Sequence, residues 1–456
     1  MRTGAGRVVP VAVALAVLTG VLLAVVAGIG IVSPDRRLAY VGGLASAWAV
    51  FGLALLLLRR APDRAVPALV LAGTVALLAA ALSNQPTTST DSARYAWDGI
   101  VQTSGTSPYR YAPADAHLAA LRPDWLFPAP TATGPGGVVC PGPRAVPAAQ
   151  VGGPGEICTA INRPSVPTVY PPVAEALFAL VRLGAPRTAA YLPMQVAGAV
   201  VVLLTVVLLL GALRAARLDP RRAAVFGWCP FVLLEAGTNA HVDGTAALLA
   251  LAATLLVARG RTLAGGAVLG LAIATKFLPV LIAPPLVRRN PVRVAGAAVL
   301  VVVASYVPHL LTAGDAVIGY LPGYLSEEGY DDGTRSALLS AVLPPTLATG
   351  AGAALLAALA VVVLVRADPR DPWAAQVLLV GAGLLIASPR YGWYALLLVP
   401  FIVMSGRWEW FAAVLLFSIP VIAGQPVPFR IALLVVLAVV VAAAVLRRRR
   451  ELVKSL

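Results

Sequence analysis

Residues 91–113 read DSARYAWDGIVQTSGTSPYRYAP, the densest polar chemistry in a chain otherwise made of apolar runs. Asp91, Arg94, Tyr95, Asp98 and Gln102 recur at i, i+3, i+4, i+7 and i+11, which is one face of a helix. An apolar run ends shortly before, at Leu82. The spacing therefore predicts a helix that sets two carboxylates, a guanidinium and a phenol at a membrane surface. The competing reading is a solvated helix beside the membrane, with Tyr95 and Trp97 as interface aromatics.

The composition places this stretch in a membrane protein. Of 456 residues, 59% are hydrophobic and 12% charged, with a mean hydropathy of +0.86. A soluble chain carries about 25% charge. Apolar runs near the length of a bilayer-spanning helix recur from end to end, which predicts an all-α polytopic membrane protein. The expected spans are 8–32, 38–58, 65–82, 188–213, 223–237, 244–258, 262–275, 277–287, 294–312, 337–365, 373–388, 391–404, 408–423 and 428–446, 14 in all. Pro279, Pro284 and Pro285 break the 262–287 stretch, so a bent or re-entrant pair is expected there. Val173–Leu183 reads as a short amphipathic helix on the membrane, with Glu175 and Arg182 on one face. Residues 1–64 form two helices ahead of a catalytic domain at 65–446, and 447–456 form a basic tail.

The net charge of +15 is distributed in a way that excludes nucleic acid as its partner. With the N-terminus inside, inside segments hold 22 Lys and Arg, and outside segments hold 13. Setting aside the long loop and its exit helix leaves 22 against 6, the bias expected of a cytoplasmic collar on anionic lipid. Arg36 and Arg37, in an outside turn, run against the bias. The loop 83–172 then faces outside the cytoplasmic membrane, with both termini cytoplasmic. In an oxidising compartment Cys140 and Cys158 of that loop can close a disulfide, worth about 3 kcal/mol in the chain-entropy model. Cys229 lies within a predicted helix. There is no CxxC, and His is scarce, so no metal-ligand spacing is present. The Pro-, Gly- and Ala-rich segment 128–156 reads as irregular.

Polar groups at the ends of apolar spans are costly and need a reason. Asp91 and Asp98 open the long loop and Tyr170 closes it in TVYPP. Glu235, Asn239, His241 and Asp243 occupy the turn EAGTNAHVDG. Lys276 lies in ATKFLP, His309 near the end of its span, and Arg390 with Tyr391, Trp393 and Tyr394 in SPRYGWY. The topology puts all of them at outer ends. Each has a plainer reading: Lys276 snorkelling, His241 capping, His309 packing, Glu235 pairing with an arginine, the aromatics forming an interface belt. Taken together they suit an amphiphile with a phosphate head, held by Lys276 and Arg390, beside a carboxylate that deprotonates an acceptor hydroxyl. No Gly-rich phosphate loop suggests a nucleotide, and no paired repeat suggests a solute carrier.

DSARYAWDGIVQTSGTSPYRYAP, TVYPPVAEALFAL, WCPFVLLEAGTNAHVDG, LAIATKFLPVLIAPPL and SPRYGWY together resemble the GT-C superfamily glycosyltransferases, most nearly the bacterial polyprenyl-phosphate-mannose-dependent mannosyltransferases of cell-envelope glycans. The resemblance runs from about residue 65 to 425. It implies a multi-span helical bundle with a large extracytoplasmic first catalytic loop. It also implies a polyprenyl-phosphate sugar donor, a glycan or glycolipid acceptor, and transfer with inversion. By position, Asp91 looks like the general base. Arg94 and Asp98 look like its holders or the acceptor's, with Tyr95 and Tyr170 beside the substrate. His241 and Asp243 match the short polar turn, and Lys276 and Arg390 match phosphate ligands. The first loop has no DxD pair, which leaves metal dependence open, and no other cofactor is expected. The alternatives are a polyprenyl-phospho-arabinose donor, a lipid-linked sugar flippase or transporter, or a non-catalytic envelope scaffold.

Overall fold

The structure is a computed structural model that describes residues 5–28, 37–86, 88–134, 137–142, 144–333, 335–419 and 425–454. Arg36 of the charge tally, and the ends of the expected spans 8–32 and 408–423, lie outside the described residues. The chain is all-α and multi-pass. Its helices are α1 (Ala5–Gly28), α2 (Arg37–Leu58), α3 (Val66–Ala81), α4 (Asp91–Thr103), α5 (Pro172–Arg182), α6 (Leu192–Ala215), α7 (Ala223–Gly227), α8 (Pro230–Val232) and α9 (Asp243–Ala258). There follow α10 (Thr262–Thr275), α11 (Ala283–Val287), α12 (Pro291–Ala313), α13 (Leu321–Glu327), α14 (Pro345–Arg366), α15 (Trp373–Ala387), α16 (Leu398–Ser405), α17 (Phe411–Phe417) and α18 (Pro426–Lys454).

The count of spans differs from the sequence expectation of 14. Among the described residues, seven helices are long and apolar enough to cross a membrane, or eight if one bent pair, Pro230–Thr238 with Asp243–Ala258, is a single span. The remaining apolar helices have 10–17 residues. Hydropathy counts residues, whereas a helix is cut by its backbone. Ser388 ends α15 in the left-handed conformation (φ +42°), and Gly406 ends α16 the same way (φ +69°). The 262–287 stretch is broken as its prolines require: α10 stops at Thr275, and Leu278–Ile282 is a 3-10 turn leading into α11. The basic residues 447–450 are helical. They continue α18, and Arg447 pairs with Glu409.

Two compact units emerge from the contacts. The first comprises 1–248, 274–277 and 300–322; the second comprises 249–273, 278–299 and 323–456. Within the first unit α1 packs on both α2 and α3. In the first unit α3 also packs on α6 and α7, where Trp228 Nε1 donates to the Val70 carbonyl at 3.1 Å. In the second unit α15 packs on α14 and α16, and Gln376 Nε2 donates to Thr254 Oγ1 at 2.9 Å.

The loop 83–172 has a core of its own. Trp97 and Val101 of α4 pack with Leu118, Leu126, Phe127, Ile161 and Tyr191. On the other side of α4, Tyr95 and Ala96 pack with Tyr170, Ala174 and Phe178. From Ser92 to Val101 every residue of α4 is buried, so the reading as a solvated surface helix fails. Gly99 permits this burial, since an added Cβ would collide with the Phe178 carbonyl of α5. The segment expected to be irregular, 128–156, contains one short antiparallel ribbon and one strand of a second, whose partner lies just beyond it. β1 (Ala132–Gly134) pairs with β2 (Gly137–Val139), and β3 (Val146–Pro147) pairs with β4 (Cys158–Thr159). Cys140 and Cys158 are joined, with their Cα atoms 5.6 Å apart.

Candidate active site

The site lies in the first unit, where α4 begins and the bent pair turns. Asp91 is the first residue of α4, and its amide donates to Ser89 Oγ at 3.1 Å. One carboxylate oxygen, Oδ1, accepts from Asn162 Nδ2 at 3.3 Å, and the other lies 3.6 Å from His241 Nδ1. The second ring nitrogen of His241 is 3.2 Å from Glu235 Oε2. Glu235 Oε2 also accepts from Asn239 Nδ2 at 3.0 Å, and that amide donates to Thr88 Oγ1 at 2.8 Å. An imidazole with no exposed side-chain surface is thus held between two carboxylates whose side chains are 14% (Asp91) and 11% (Glu235) exposed.

This turn is built by an unusual backbone. After α8 the helix widens into a π-helical turn over Leu233–Thr238, and α9 departs at 113°. Ala240 takes φ +54°, which is rare for a residue with a Cβ. Several contacts hold the turn in place. Thr238 Oγ1 donates to the Ala81 carbonyl at 2.8 Å, and Gln195 Nε2 donates to the Thr238 carbonyl at 2.9 Å. The His241 amide donates to the Glu235 carbonyl at 2.9 Å. Gly198 of α6 lies so close to the turn that an added Cβ would run into the Ala236 carbonyl.

Asp243 opens α9, where the partial positive charge of a helix N-terminus favours a carboxylate. Its Oδ2 accepts from Lys276 Nζ at 3.2 Å. That ammonium sits 5.6 Å from the centre of the Tyr170 ring, within cation–π range. Tyr170 meets Tyr95 edge-on at 5.0 Å, and Tyr95 stacks on Phe178 at 4.5 Å. Burial, with the charges of Asp91 and Asp243 behind it, pushes the Tyr95 phenol well above its ordinary range. Tyr95 is therefore neutral. A small apolar cleft, with a cavity volume of about 20 Å³, adjoins this cluster, lined by Leu177 and Val181 of α5, Met194 and Val201 of α6, and Val242, with Tyr95 and His241 also on its wall.

The structure thus brings Asp91, Tyr95, Tyr170, His241, Asp243 and Lys276 into one connected set. Arg94 and Asp98 take a different place. Arg94 Nε binds both Asp98 oxygens at 2.9 and 3.0 Å, and its other nitrogens reach the carbonyls of Arg163 and Val166. Their side chains are 6% and 2% exposed, and these contacts all lie within the loop 83–172. His309 packs edge-on against Tyr109 at 4.9 Å. In the second unit the Arg390 Nε lies 3.9 Å from Glu328 Oε2, and Tyr391 donates to Glu328 Oε1 at 2.8 Å while stacking on Trp393. Among the described residues no group of three or more His, Cys, Asp or Glu is arranged to hold a metal ion. Sequence reasoning missed Asn162 and Thr88, which sit in irregular segments without periodicity. It also missed Glu328, which sits in an acidic turn between helices.

Residues 168–389 match the family model described as glycosyltransferase family 87. The matched stretch includes Tyr170, Glu235, His241, Asp243 and Lys276 and begins after Asp91. The match supports a glycosyltransferase of the GT-C type, built here on a multi-pass helical membrane protein. No curated protein and no solved structure matches the chain.

Proposed function

We propose that the protein is an inverting glycosyltransferase that moves a hexosyl group, mannosyl first, from a polyprenyl monophosphate to a lipid-linked or polysaccharide acceptor at the outer face of the cytoplasmic membrane. The observation that carries this reading is one contiguous arrangement. A carboxylate with exposed surface (Asp91) is held by His241, and a cation (Lys276) is held by Asp243 only two residues on, beside an apolar cleft.

Each part has a chemical task. Asp91 accepts the proton of the acceptor hydroxyl as the oxygen attacks the anomeric carbon. The bond from that carbon to the phosphate oxygen breaks, and polyprenyl phosphate leaves with the electron pair. Lys276 offsets the charge that develops on the phosphate. The apolar wall of the cleft, made by α5 and α6, is the surface against which the first apolar segment of the lipid lies. His241 and Glu235 hold Asp91 in place, and Tyr95 backs Tyr170, whose ring lies against Lys276.

Purified protein given labelled polyprenyl phosphomannose and an acceptor should release polyprenyl phosphate. The Asp91→Asn variant should bind donor but not transfer it; full turnover in that variant removes Asp91 from the chemistry. Substituting polyprenyl-phospho-arabinose in the same assay sets the sugar. Donor crossing a liposome bilayer unconsumed would make the protein a flippase instead. Turnover in the presence of a chelator tests the metal requirement, and Arg390→Gln tests whether that guanidinium acts on the donor.

A further inference from the structure

A second pair of carboxyl groups, Asp98 and Glu175, is buried where α4 crosses α5, with Glu175 at 0% exposure. One guanidinium, that of Arg94, lies beside the pair and bonds Asp98 alone. Arg94 spends its Nε on the two Asp98 oxygens and its terminal nitrogens on the loop carbonyls of Arg163 and Val166. Glu175 receives only neutral donors: Thr168 Oγ1 to Oε1 at 2.6 Å and Gln102 Nε2 to Oε2 at 2.7 Å. The phenol of Tyr109, which donates to the Tyr170 carbonyl at 2.6 Å, is a further titratable neighbour, with Tyr306 beyond it. Two negative charges against one positive in a fully buried site is the situation in which a carboxyl takes up a proton instead.

The arrangement decides which carboxyl does so. Asp98 has the guanidinium on both oxygens, whereas Glu175 has amide and hydroxyl hydrogens only. Burial, and then the Asp98 charge, push the Glu175 carboxyl well above its ordinary range.

We propose that Glu175 is a positioning residue that works as a neutral acid, its proton directed at Asp98, and that it ties α4 and the Thr168–Tyr170 segment to α5. Thr168 Oγ1, which donates to Glu175, accepts from the Tyr170 amide at 3.2 Å. The Tyr170 carbonyl is fixed by Tyr109. With its backbone held at both ends, the Tyr170 ring is presented to Lys276. Glu175 touches no substrate in this scheme and acts through Tyr170. Its effect on turnover rests on the transferase reading, but its proton and its hold on Tyr170 do not.

The test uses the full chain in detergent or nanodiscs. The wild-type protein at neutral pH should show the infrared carbonyl absorption of a protonated carboxylic acid, and Glu175→Gln should remove it. The amide is the neutral acid's near-isostere, so Glu175→Gln should also leave transfer within about twofold of wild type. Thr168→Val keeps the branched shape but cuts the link to Tyr170. It should raise the reactivity of Lys276 toward an amine reagent by about fivefold, as the ring contact loosens, and raise the donor KM more than it lowers kcat. Peptide mass spectrometry reads the labelling cleanly, because Lys276 and Lys454 are the two lysines of the sequence. An absent carbonyl absorption, or one that survives in Glu175→Gln, overturns the neutral acid. Unchanged Lys276 labelling in Thr168→Val overturns the positioning. Absence of transfer in every variant counts against the transferase reading alone, since the infrared and labelling results stand without it.

Discussion

Two carboxylate clusters share the inner face of α4, and they have opposite characters. At its first residue, Asp91 meets His241 and, through it, Glu235, with side chains 14% and 11% exposed. Two helical turns on, Asp98 meets Arg94 and Glu175 with its side chain 2% exposed. The residue types are nearly the same. Access of water and the balance of charge separate them. The first cluster has carboxylate surface left over and an imidazole beside it, which is what a proton acceptor for an incoming hydroxyl requires. The second cluster has its charges cancelled and its hydrogen bonds filled, which is what a brace requires. Helical spacing alone assigns both to one face and cannot tell one from the other.

The sharpest break in this comparison comes from removing the same charge at each place. Asp91→Asn should lower transfer by about 10³-fold while leaving thermal stability unchanged, because a general base is lost and no buried charge is stranded. Asp98→Asn should do the reverse. It strands the Arg94 guanidinium and should lower stability by about 3–5 kcal/mol, read as a fall in unfolding temperature. If Asp98→Asn instead leaves stability intact and abolishes transfer, the brace assignment is wrong. A smaller effect is expected at the cation. Lys276→Met keeps the apolar stem and should raise the donor KM about tenfold, with the acceptor KM little changed, through loss of a charge-assisted contact to phosphate.

The smallest effect is in the pH dependence. Glu175 is held above its ordinary value of 4.5 in the folded protein, so the folded state binds the extra proton. Its stabilising contribution is complete below that ordinary value and is lost as pH rises toward the raised one, at about 1.4 kcal/mol per pH unit. Glu175→Gln should flatten that alkaline slope in thermal denaturation. Equal slopes in the two proteins would mean that Glu175 is ionised in the fold and that the second cluster is balanced some other way.

Much of the architecture was legible in the sequence. The apolar runs located the membrane helices, Pro279, Pro284 and Pro285 marked the break after α10, and the polar turn EAGTNAHVDG marked the bend before α9. What was not legible depends on contacts between distant segments. The burial of α4 is set by Leu118, Phe127 and Ile161, which come from stretches without periodicity, and by Gly99, whose missing side chain matters only once α5 is beside it. Arg94 and Asp98 looked like ligands of a substrate because spacing shows which residues face together, not what they face. The span count ran high because hydropathy is blind to a left-handed Ser388 or a 3-10 turn at Leu278–Ile282.

The short helices carry a consequence for how the chain is made. With 14 and 15 residues, α10 and α15 are about 21–22 Å long, against a hydrocarbon layer of about 30 Å. A segment of that length emerging from a ribosome leaves its terminal peptide groups stranded in lipid unless another helix is there to shelter them. Helices such as α1, α6 and α18 are long enough to partition on their own. Biogenesis should therefore proceed in two phases, with self-sufficient segments entering singly and the truncated ones settling only against neighbours already in the bilayer.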